Sequence, residues 1–265
     1  MAGQFLAGTC GYSYSEWREV FYPKDLRAPD YLKYYSLVFP FVELDFSWYK
    51  MPKPETLAAM ADQTQPGFLF ALKAHKSLTH EIGEDWEFQA GMFADAAESL
   101  LVRGKLAAVL VQLPYSFAYT AENRSYLASL LSSLSSFPLV VEFRNEAWYQ
   151  DRVFAELERR DIALALLDRP ELPGLPPETD RLTNSLAYLR FHGKNAATWW
   201  GGDAVSRYDY DYSTEELKSS ARRIIGLSRS ASRVIAAFNN HAKANAPKNA
   251  RSLVALVKAL SPDPA

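Results

Sequence analysis

The sequence contains a single cysteine, Cys10, among its 265 residues. One thiol excludes a disulfide within the chain and excludes a zinc site built from several cysteines. Such scarcity is typical of proteins that fold in a reducing compartment, so we expect a cytoplasmic protein. Only four histidines are present, which disfavours a metal centre built mainly from imidazole ligands.

The sequence also lacks an excess of either charge and lacks any long apolar run. Lys and Arg number 29 against 31 Asp and Glu, which gives a net charge of -2. Proteins that bind nucleic acid over a broad surface normally carry a basic excess, so an anion site in this chain must be local. No run approaches the ~18 apolar residues of a membrane span, and the first residues show no signal-peptide pattern. We therefore predict no membrane partner.

What the sequence does contain is a repeated alternation of apolar runs and helical patterns. Eight runs have the composition of buried strands, at 5–9, 41–46, 68–73, 107–112, 139–143, 162–167, 187–191 and 233–238. Eight strand–helix units in about 250 residues predict a single (β/α)8 TIM barrel domain spanning 1–265. An open, doubly wound sheet is the alternative, which is weakened because no glycine-rich phosphate loop follows the first strand. The proline-rich segment 168–185 predicts an irregular connection after strand six.

Helical spacing predicts which side chains of three helices face the core and where a fourth begins. Ser213 and Glu216 are spaced as a capping box, in which each side chain satisfies a backbone N–H of the first turn. Pro247 suits the first turn of the last helix. The predicted buried faces are Phe88, Met92, Ala96 and Leu100 in one helix, Leu127, Leu130, Leu131 and Leu134 in the next, and Ala250, Leu253, Val257 and Leu260 in the last.

Charged residues gather near the carboxyl ends of the predicted strands. Because strand residues alternate between the barrel interior and the helices, Val141 and Phe143 would face helices while Glu142 and Arg144 point inward. The same alternation directs inward Glu43, Asp45, Lys73, Gln112, Tyr188, Arg190 and His192, and the last strand runs into Asn239, Asn240 and His241. TIM barrels place their active sites at this end. We predict that these residues line a functional pocket, the alternative being a purely structural network of ion pairs.

The residue types suggest how such a pocket would work. His192 is predicted to carry protons, with Glu43 and Glu142 as basic or orienting carboxylates. Arg144, Arg190 and Lys194 are predicted to clamp a phosphate-bearing ligand, since the loops after strands seven and eight often bind phosphate in this fold. The segment 192–212 adds Trp199, Trp200 and Arg207 to a cationic and aromatic rim that could stack bases or sugars. The predicted ligand is a nucleotide, a nucleic-acid fragment or a sugar phosphate.

Two alternatives stay open at this point. Glu43 and Glu142 could instead be the acid and base of a glycoside hydrolase, or the pocket could bind a ligand without turnover. No cofactor and no metal ligands are predicted, because the histidines match no metal-binding motif. A divalent metal stays open as an alternative. The oligomeric state is also open.

Several segments, in this order and spacing, resemble the YecE-like family, which is the domain of unknown function numbered 72. They include GTCGYSYSEWREVFYP, FVELDFSWYKMPKPET, VVEFRNEAWY, YLRFHGKN and FNNHAKANAPKNA. The resemblance spans nearly the whole chain and implies a TIM barrel in a bacterial or archaeal cytosol, without implying an activity. It also adds Trp17 and Tyr49 to the predicted ligand-binding residues, beside Lys73, Asn239, Asn240 and His241.

Overall fold

In the computed structural model, residues 3–261 are described, and they form a closed barrel of eight parallel strands in sequential order. The strands are β1 (Gln4–Cys10), β2 (Phe41–Leu44), β3 (Leu69–Lys73), β4 (Leu106–Gln112), β5 (Leu139–Glu142), β6 (Ala163–Asp168), β7 (Leu186–Phe191) and β8 (Arg233–Phe238). All eight overlap the predicted runs, but the second run, 41–46, was predicted two residues too long, because β2 ends at Leu44 and a short helix begins at Phe46. The TIM barrel is therefore confirmed, and the open sheet is excluded because β1 pairs with both β2 and β8.

Nine α-helices lie outside the strands within the described residues. They are α1 (Tyr31–Val38), α2 (Phe46–Tyr49), α3 (Pro54–Asp62), α4 (Trp86–Leu101), α5 (Ala121–Ser133), α6 (Asp151–Arg159), α7 (Ala204–Tyr208), α8 (Thr214–Leu227) and α9 (Asn245–Leu260). No helix forms between β6 and β7, where the prolines of 168–185 predicted an irregular connection. Across residues 3–261, each helix is too short or too polar to cross a membrane.

The strands separate two cores, as their alternation predicted. Outward residues such as Val141 and Phe143 pack in the large core between the strands and the helices. Inward residues such as Phe41, Val140 and Ile235 form a smaller apolar core inside the barrel. Polar side chains join this inner core only toward the carboxyl ends of the strands. The charged side chains at the carboxyl end of the barrel therefore pack on the inner apolar core.

The predicted helix faces are correct for α5 and partly wrong for α4 and α9. The four leucines of the α5 segment are buried, whereas Phe88 and Met92 of α4 are 68% and 42% exposed and Leu260 of α9 is 41% exposed. In α4 the buried face consists of Ala90, Phe93, Ala96, Ala97 and Leu100. Small alanine side chains let this helix approach the barrel closely, so the large apolar residues did not mark the buried side. The capping box of Ser213 and Glu216 is present at the start of α8.

Candidate functional site at the carboxyl end of the barrel

Six buried side chains form a connected network inside the carboxyl end of the barrel, which we call the floor. The floor consists of Cys10, Glu43, Glu142, Tyr188, Arg190 and His192. Arg190 lies at its centre and donates from Nη2 to Glu43 Oε1 at 2.5 Å, from Nε to Glu43 Oε2 at 3.1 Å and from Nη1 to Glu142 Oε2 at 2.7 Å. Its planar fork thus bridges the two carboxylates across the barrel.

Two further side chains donate to the floor carboxylates. Tyr188 donates to Glu43 Oε2 at 2.8 Å, and Arg144 donates from Nε to Glu142 Oε1. Burial alone would raise the pKa of Glu142, but the charges of Arg144 and Arg190 hold it well below its usual value. Two carboxylates therefore face two guanidinium groups, and Glu142 stays ionised near neutral pH.

His192 completes the floor as a neutral imidazole. Its Nε2 lies 3.2 Å from Arg144 Nη2 and 3.6 Å from Glu142 Oε1, and its Nδ1 lies 3.1 Å from Asn239 Nδ2. Burial, assisted by the charge of Arg144, lowers the pKa of His192 to about 3. The predicted proton carrier is thus fully buried among the floor residues and uncharged near neutral pH.

Backbone turns at two glycines fix where the floor ends. Gly11 follows Cys10 with a φ of 77°, and Gly193 follows His192 with a φ of 85°. A side chain at Gly193 would place its Cβ 2.5 Å from the Cβ of Tyr210. The chain therefore leaves the barrel sharply after His192, and only glycine fits this left-handed turn without strain.

Above the floor lies an open cleft of about 340 Å³. Its lining residues are Trp48, Tyr49, Lys73, His80, Gln112, Pro114, Tyr115, Arg144, Leu175, Trp199, Trp200, Arg207 and Tyr208. Lys73, Arg144 and Arg207 give this lining three cationic groups, and no Asp or Glu belongs to it among the described side chains. Arg144 joins the two regions, because it lines the cleft and donates to Glu142 of the floor.

Both arginines of the cleft make cation–π contacts with Trp199. Its buried ring lies 5.6 Å from the Arg144 guanidinium carbon and 6.0 Å from that of Arg207. Cation–π attraction at such distances stabilises each guanidinium over the indole. Arg207 also approaches the Gly202 carbonyl at 3.5 Å through Nη2, whereas its buried Nε has no hydrogen-bond partner within the described residues.

Lys73 faces one carboxylate that lies beside the cleft rather than in its lining. Its Nζ lies 3.8 Å from Asp45 Oδ1 and 5.4 Å from the centre of the Trp48 ring. Burial raises the pKa of Asp45, and the charge of Lys73 acts against this rise. The 3.8 Å separation exceeds hydrogen-bond length, so the ammonium group keeps donor capacity for a ligand.

Aromatic side chains surround the mouth of the cleft in two pairs. Tyr49 packs edge-on against Trp48 at 4.8 Å, and Tyr115 packs edge-on against Trp200 at 4.8 Å. Tyr49, Trp200 and Tyr115 are 69%, 52% and 44% exposed. Sequence reasoning named Tyr49 for the site but placed Trp200 only in a general rim and missed Tyr115, which follows β4 without a periodic pattern.

His80 also lines the cleft, although the predicted site did not include it. Its Nδ1 accepts a hydrogen bond from the Trp48 indole at 3.1 Å, which requires the proton of a neutral ring to sit on Nε2. Partial desolvation and the nearby charges of Lys73 and Arg144 lower the pKa of His80 to about 4. His80 therefore adds a neutral donor and no charge near neutral pH.

Six of the predicted ligand-binding residues do not line the cleft. Arg190 lies in the floor, Asn239 contacts His192 beside it, and the other four lie farther away. Lys194 Nζ lies 3.7 Å from both Asp168 and Glu216, in a separate depression beside β6. Trp17 is buried and donates from its indole to the His241 carbonyl at 2.8 Å. The His241 ring stacks on Tyr14, and buried Asn240 donates to Tyr210 O and Asn249 Oδ1. These three residues fasten loops to the barrel.

Among the described residues, one group has the spacing for a metal ion. Ligand atoms of Cys10, Glu43 and Asp45 all lie within 4.8 Å of one another. Arg190 already approaches this group, with Nη2 at 3.7 Å from Cys10 Sγ and 2.5 Å from Glu43. Burial and the charge of Glu43 raise the pKa of the Cys10 thiol well above its usual value, which keeps it protonated. A guanidinium beside a protonated thiol fits a divalent ion poorly.

Comparisons with known proteins agree over almost the full chain. A family described as "Protein of unknown function DUF72" matches residues 6–264. The UPF0759 protein YunF of Bacillus subtilis is 29% identical over 252 residues, covering 89% of each chain.

Solved structures of proteins from the same family have the same fold as this chain. A DUF72 family protein from Thermotoga maritima superposes with a TM-score of 0.89 at 35% identity, covering 96% of this chain and 99% of that one. Another from Enterococcus faecalis superposes with a TM-score of 0.86 at 27% identity, covering 98% and 97%. The resemblance seen in the sequence motifs is confirmed, and the chain belongs to the DUF72 family.

Proposed function

We propose that the cleft binds a phosphate-bearing ligand. The observation that carries this proposal is the charge of the lining, which combines Lys73, Arg144 and Arg207 with no carboxylate among the described side chains. Lys73 and Arg144 face Asp45 and Glu142 outside the lining, but Arg207 has no ion-pair partner within the described residues, so the lining itself presents only positive charge in a protein whose net charge is -2. An anionic ligand lowers the free energy of this arrangement.

Hydrogen-bond capacity supports the same ligand. The guanidinium of Arg207 makes one long hydrogen bond through Nη2, to the Gly202 carbonyl at 3.5 Å, and no ion pair within the described residues, so it keeps donor capacity for a ligand. A phosphoryl group offers three acceptor oxygens, and guanidinium groups bind it through paired donors. Arg207 and Arg144 lie near one indole ring, so their donors can be directed to one anion.

Sugar hydrolysis by Glu43 and Glu142 is disfavoured by the same geometry. A glycoside hydrolase needs one protonated carboxyl group and one ionised carboxylate that both reach the sugar. Here both side chains are fully buried, and Arg190 bonds to each of them. Glu142 cannot serve as a general acid near neutral pH, because its pKa lies well below its usual value.

The proposal is tested by thermal unfolding with two panels of probes. Ribose 5-phosphate, AMP and inorganic pyrophosphate form the anionic panel, and ribose and maltose form the neutral panel. A ligand present at ~100 times its dissociation constant stabilises the folded state by about 2.7 kcal/mol. We expect at least one anionic probe, and neither neutral sugar, to raise the melting temperature.

Two variants make this experiment specific to the cleft. Arg207→Gln removes a cation from the lining, while Lys194→Gln removes one that lies between Asp168 and Glu216 outside it. The first should abolish most of the ligand-induced shift and the second should retain it. Stabilisation by neutral sugars alone, or an equal loss of the shift in both variants, would contradict a phosphate site in the cleft.

A further inference from the structure

We infer that the phosphate-bearing ligand also carries a flat aromatic base, which stacks on the aromatic side chains at the mouth of the cleft. This inference rests on the proposed function and narrows its ligand class to a nucleoside phosphate. It depends on a feature that phosphate binding does not require, namely the exposed faces of Tyr49, Tyr115 and Trp200.

The exposure of these three rings is concentrated beside the cationic lining. Tyr49, Trp200 and Tyr115 are 69%, 52% and 44% exposed, and all three line the same cleft. Clustered apolar surface in contact with water is unfavourable in an isolated protein and commonly marks a binding surface. The rings therefore present faces that a ligand can cover.

Contacts with neighbouring residues support both aromatic pairs. Trp48 supports Tyr49 edge-on, donates its indole N–H to His80 and lies under Lys73. On the other side, Asn145 donates to the Tyr115 carbonyl at 2.9 Å. The ring of Trp200 packs edge-on against Tyr115, and the neighbouring Trp199 is buried under the two arginines. Rings that are already positioned lose little conformational freedom when a ligand stacks on them.

The lining favours a base over an additional sugar. Sugar hydroxyl groups are donors that need good acceptors, and carboxylates are the strongest acceptors among side chains. The described lining contains no carboxylate, and Gln112 is its only side-chain amide. Base stacking needs an aromatic face rather than an acceptor, and contributes about 1–3 kcal/mol per base. Cations inside the cleft and rings at its mouth therefore indicate a phosphate placed inward and a base placed outward.

The first test compares ligands that differ only in the base. Isothermal titration with AMP and with ribose 5-phosphate separates stacking from phosphate binding. We expect AMP to bind about tenfold or more tightly than ribose 5-phosphate, in line with one stacked base. If neither binds, the proposed function itself fails. If both bind equally well, the phosphate site stands and the base is wrong.

The second test uses variants of exposed aromatic residues. Trp200→Ala should weaken AMP roughly tenfold and leave ribose 5-phosphate within about twofold, because only the base contacts the ring. Phe88→Ala is the matched control, since Phe88 is 68% exposed on α4 outside the cleft, and it should change neither affinity. An unchanged AMP affinity in Trp200→Ala, Tyr49→Ala and Tyr115→Ala would overturn the inference.

A nucleoside phosphate can be free or can form the end of a nucleic-acid strand, and the same titration distinguishes these sources. A 5′-phosphorylated tetranucleotide is titrated beside AMP at two salt concentrations. Tighter binding of the tetranucleotide, with a steeper salt dependence, assigns the site to a strand end. Equal or weaker binding assigns it to the free nucleotide. Either result supports the base-and-phosphate chemistry, whereas binding of inorganic phosphate as tight as that of both would refute it.

Discussion

The floor and the cleft lining are both built around arginine side chains but differ in how those charges are satisfied. In the floor, the Arg190 guanidinium donates three hydrogen bonds to two carboxylates, and its side chain is 1% exposed. In the lining, Arg207 is only half-buried, and its Nε lacks a partner within the described residues. Of these two arginines, the more deeply buried one is the one whose guanidinium is fully paired.

This difference separates two roles that the sequence joins into one charged cluster. A buried charge with complete partners adds little net stability but is costly to break, because its former partners are left buried and unpaired. A partly solvated cation without an opposing carboxylate costs less to keep and remains able to bind a ligand. We therefore propose that the floor gives structural support and that the lining binds the ligand, with Arg144 as the residue that joins them.

The largest expected effect comes from breaking the floor at its centre. Arg190→Met removes the guanidinium that bridges Glu43 and Glu142, so we expect a loss of about 3–5 kcal/mol in the free energy of unfolding. Urea unfolding followed by circular dichroism measures this loss. The combined variant Arg190→Met, Glu43→Gln, Glu142→Gln should recover part of it, because the uncompensated charges are gone. A loss below about 1 kcal/mol in the single variant would show that the floor is not a coupled network.

Much of the barrel could be predicted because alternation along a strand is a local property. Glu142 and Arg144 alternate along the chain with Val141 and Phe143. In the structure Glu142 and Arg144 point into the barrel, whereas Val141 and Phe143 pack against the helices. The same alternation brings Glu43, Arg190 and His192 inward from β2 and β7. Eight such strands leave few arrangements besides a closed barrel.

The alternation along a strand predicts whether a side chain faces the barrel interior, but it does not predict how deeply that side chain is buried. The sequence therefore could not separate the floor residues from the cleft residues. Arg190 and His192 both point inward, yet both are buried in the floor and neither lines the cleft. Lys194 lies beyond the turn at Gly193, which directs it toward Asp168 instead of the cleft. Tyr115 and Trp199 come from loops and Arg207 from the five-residue helix α7, and none of these segments is long enough or regular enough for a periodic pattern to indicate the direction of a side chain.

A smaller effect should appear in the dependence of stability on pH. The pKa of His192 falls from about 6.5 in an unfolded chain to about 3 in the folded protein. Its depressed pKa means that the unfolded state binds more protons between these values, so stability is complete above about pH 6.5 and decreases as the pH falls. One such group contributes at most about 1.4 kcal/mol per pH unit.

The variant His192→Gln isolates this contribution. His75 and His80 also have lowered pKa values and act in the same direction, but they are present in both proteins. Unfolding free energies measured from neutral pH down to about pH 5, above the range where unfolded carboxylates titrate, should therefore fall more steeply for the unmodified chain. Parallel curves would mean that His192 is not held neutral by Arg144 and the surrounding floor.

The smallest effect on stability is expected in the lining, with Arg207→Gln as the counterpart of Arg190→Met. The substitution removes a cation–π contact with Trp199, worth about 0.5–1 kcal/mol, and also removes a buried donor that has no acceptor within the described residues. These contributions oppose each other, so we expect the free energy of unfolding to change by less than about 1 kcal/mol in urea titrations without ligand. The same variant should lose the stabilisation by phosphate-bearing probes. A loss near that of Arg190→Met would place Arg207 with the floor residues, because a side chain that the fold requires so strongly is not reserved for a ligand.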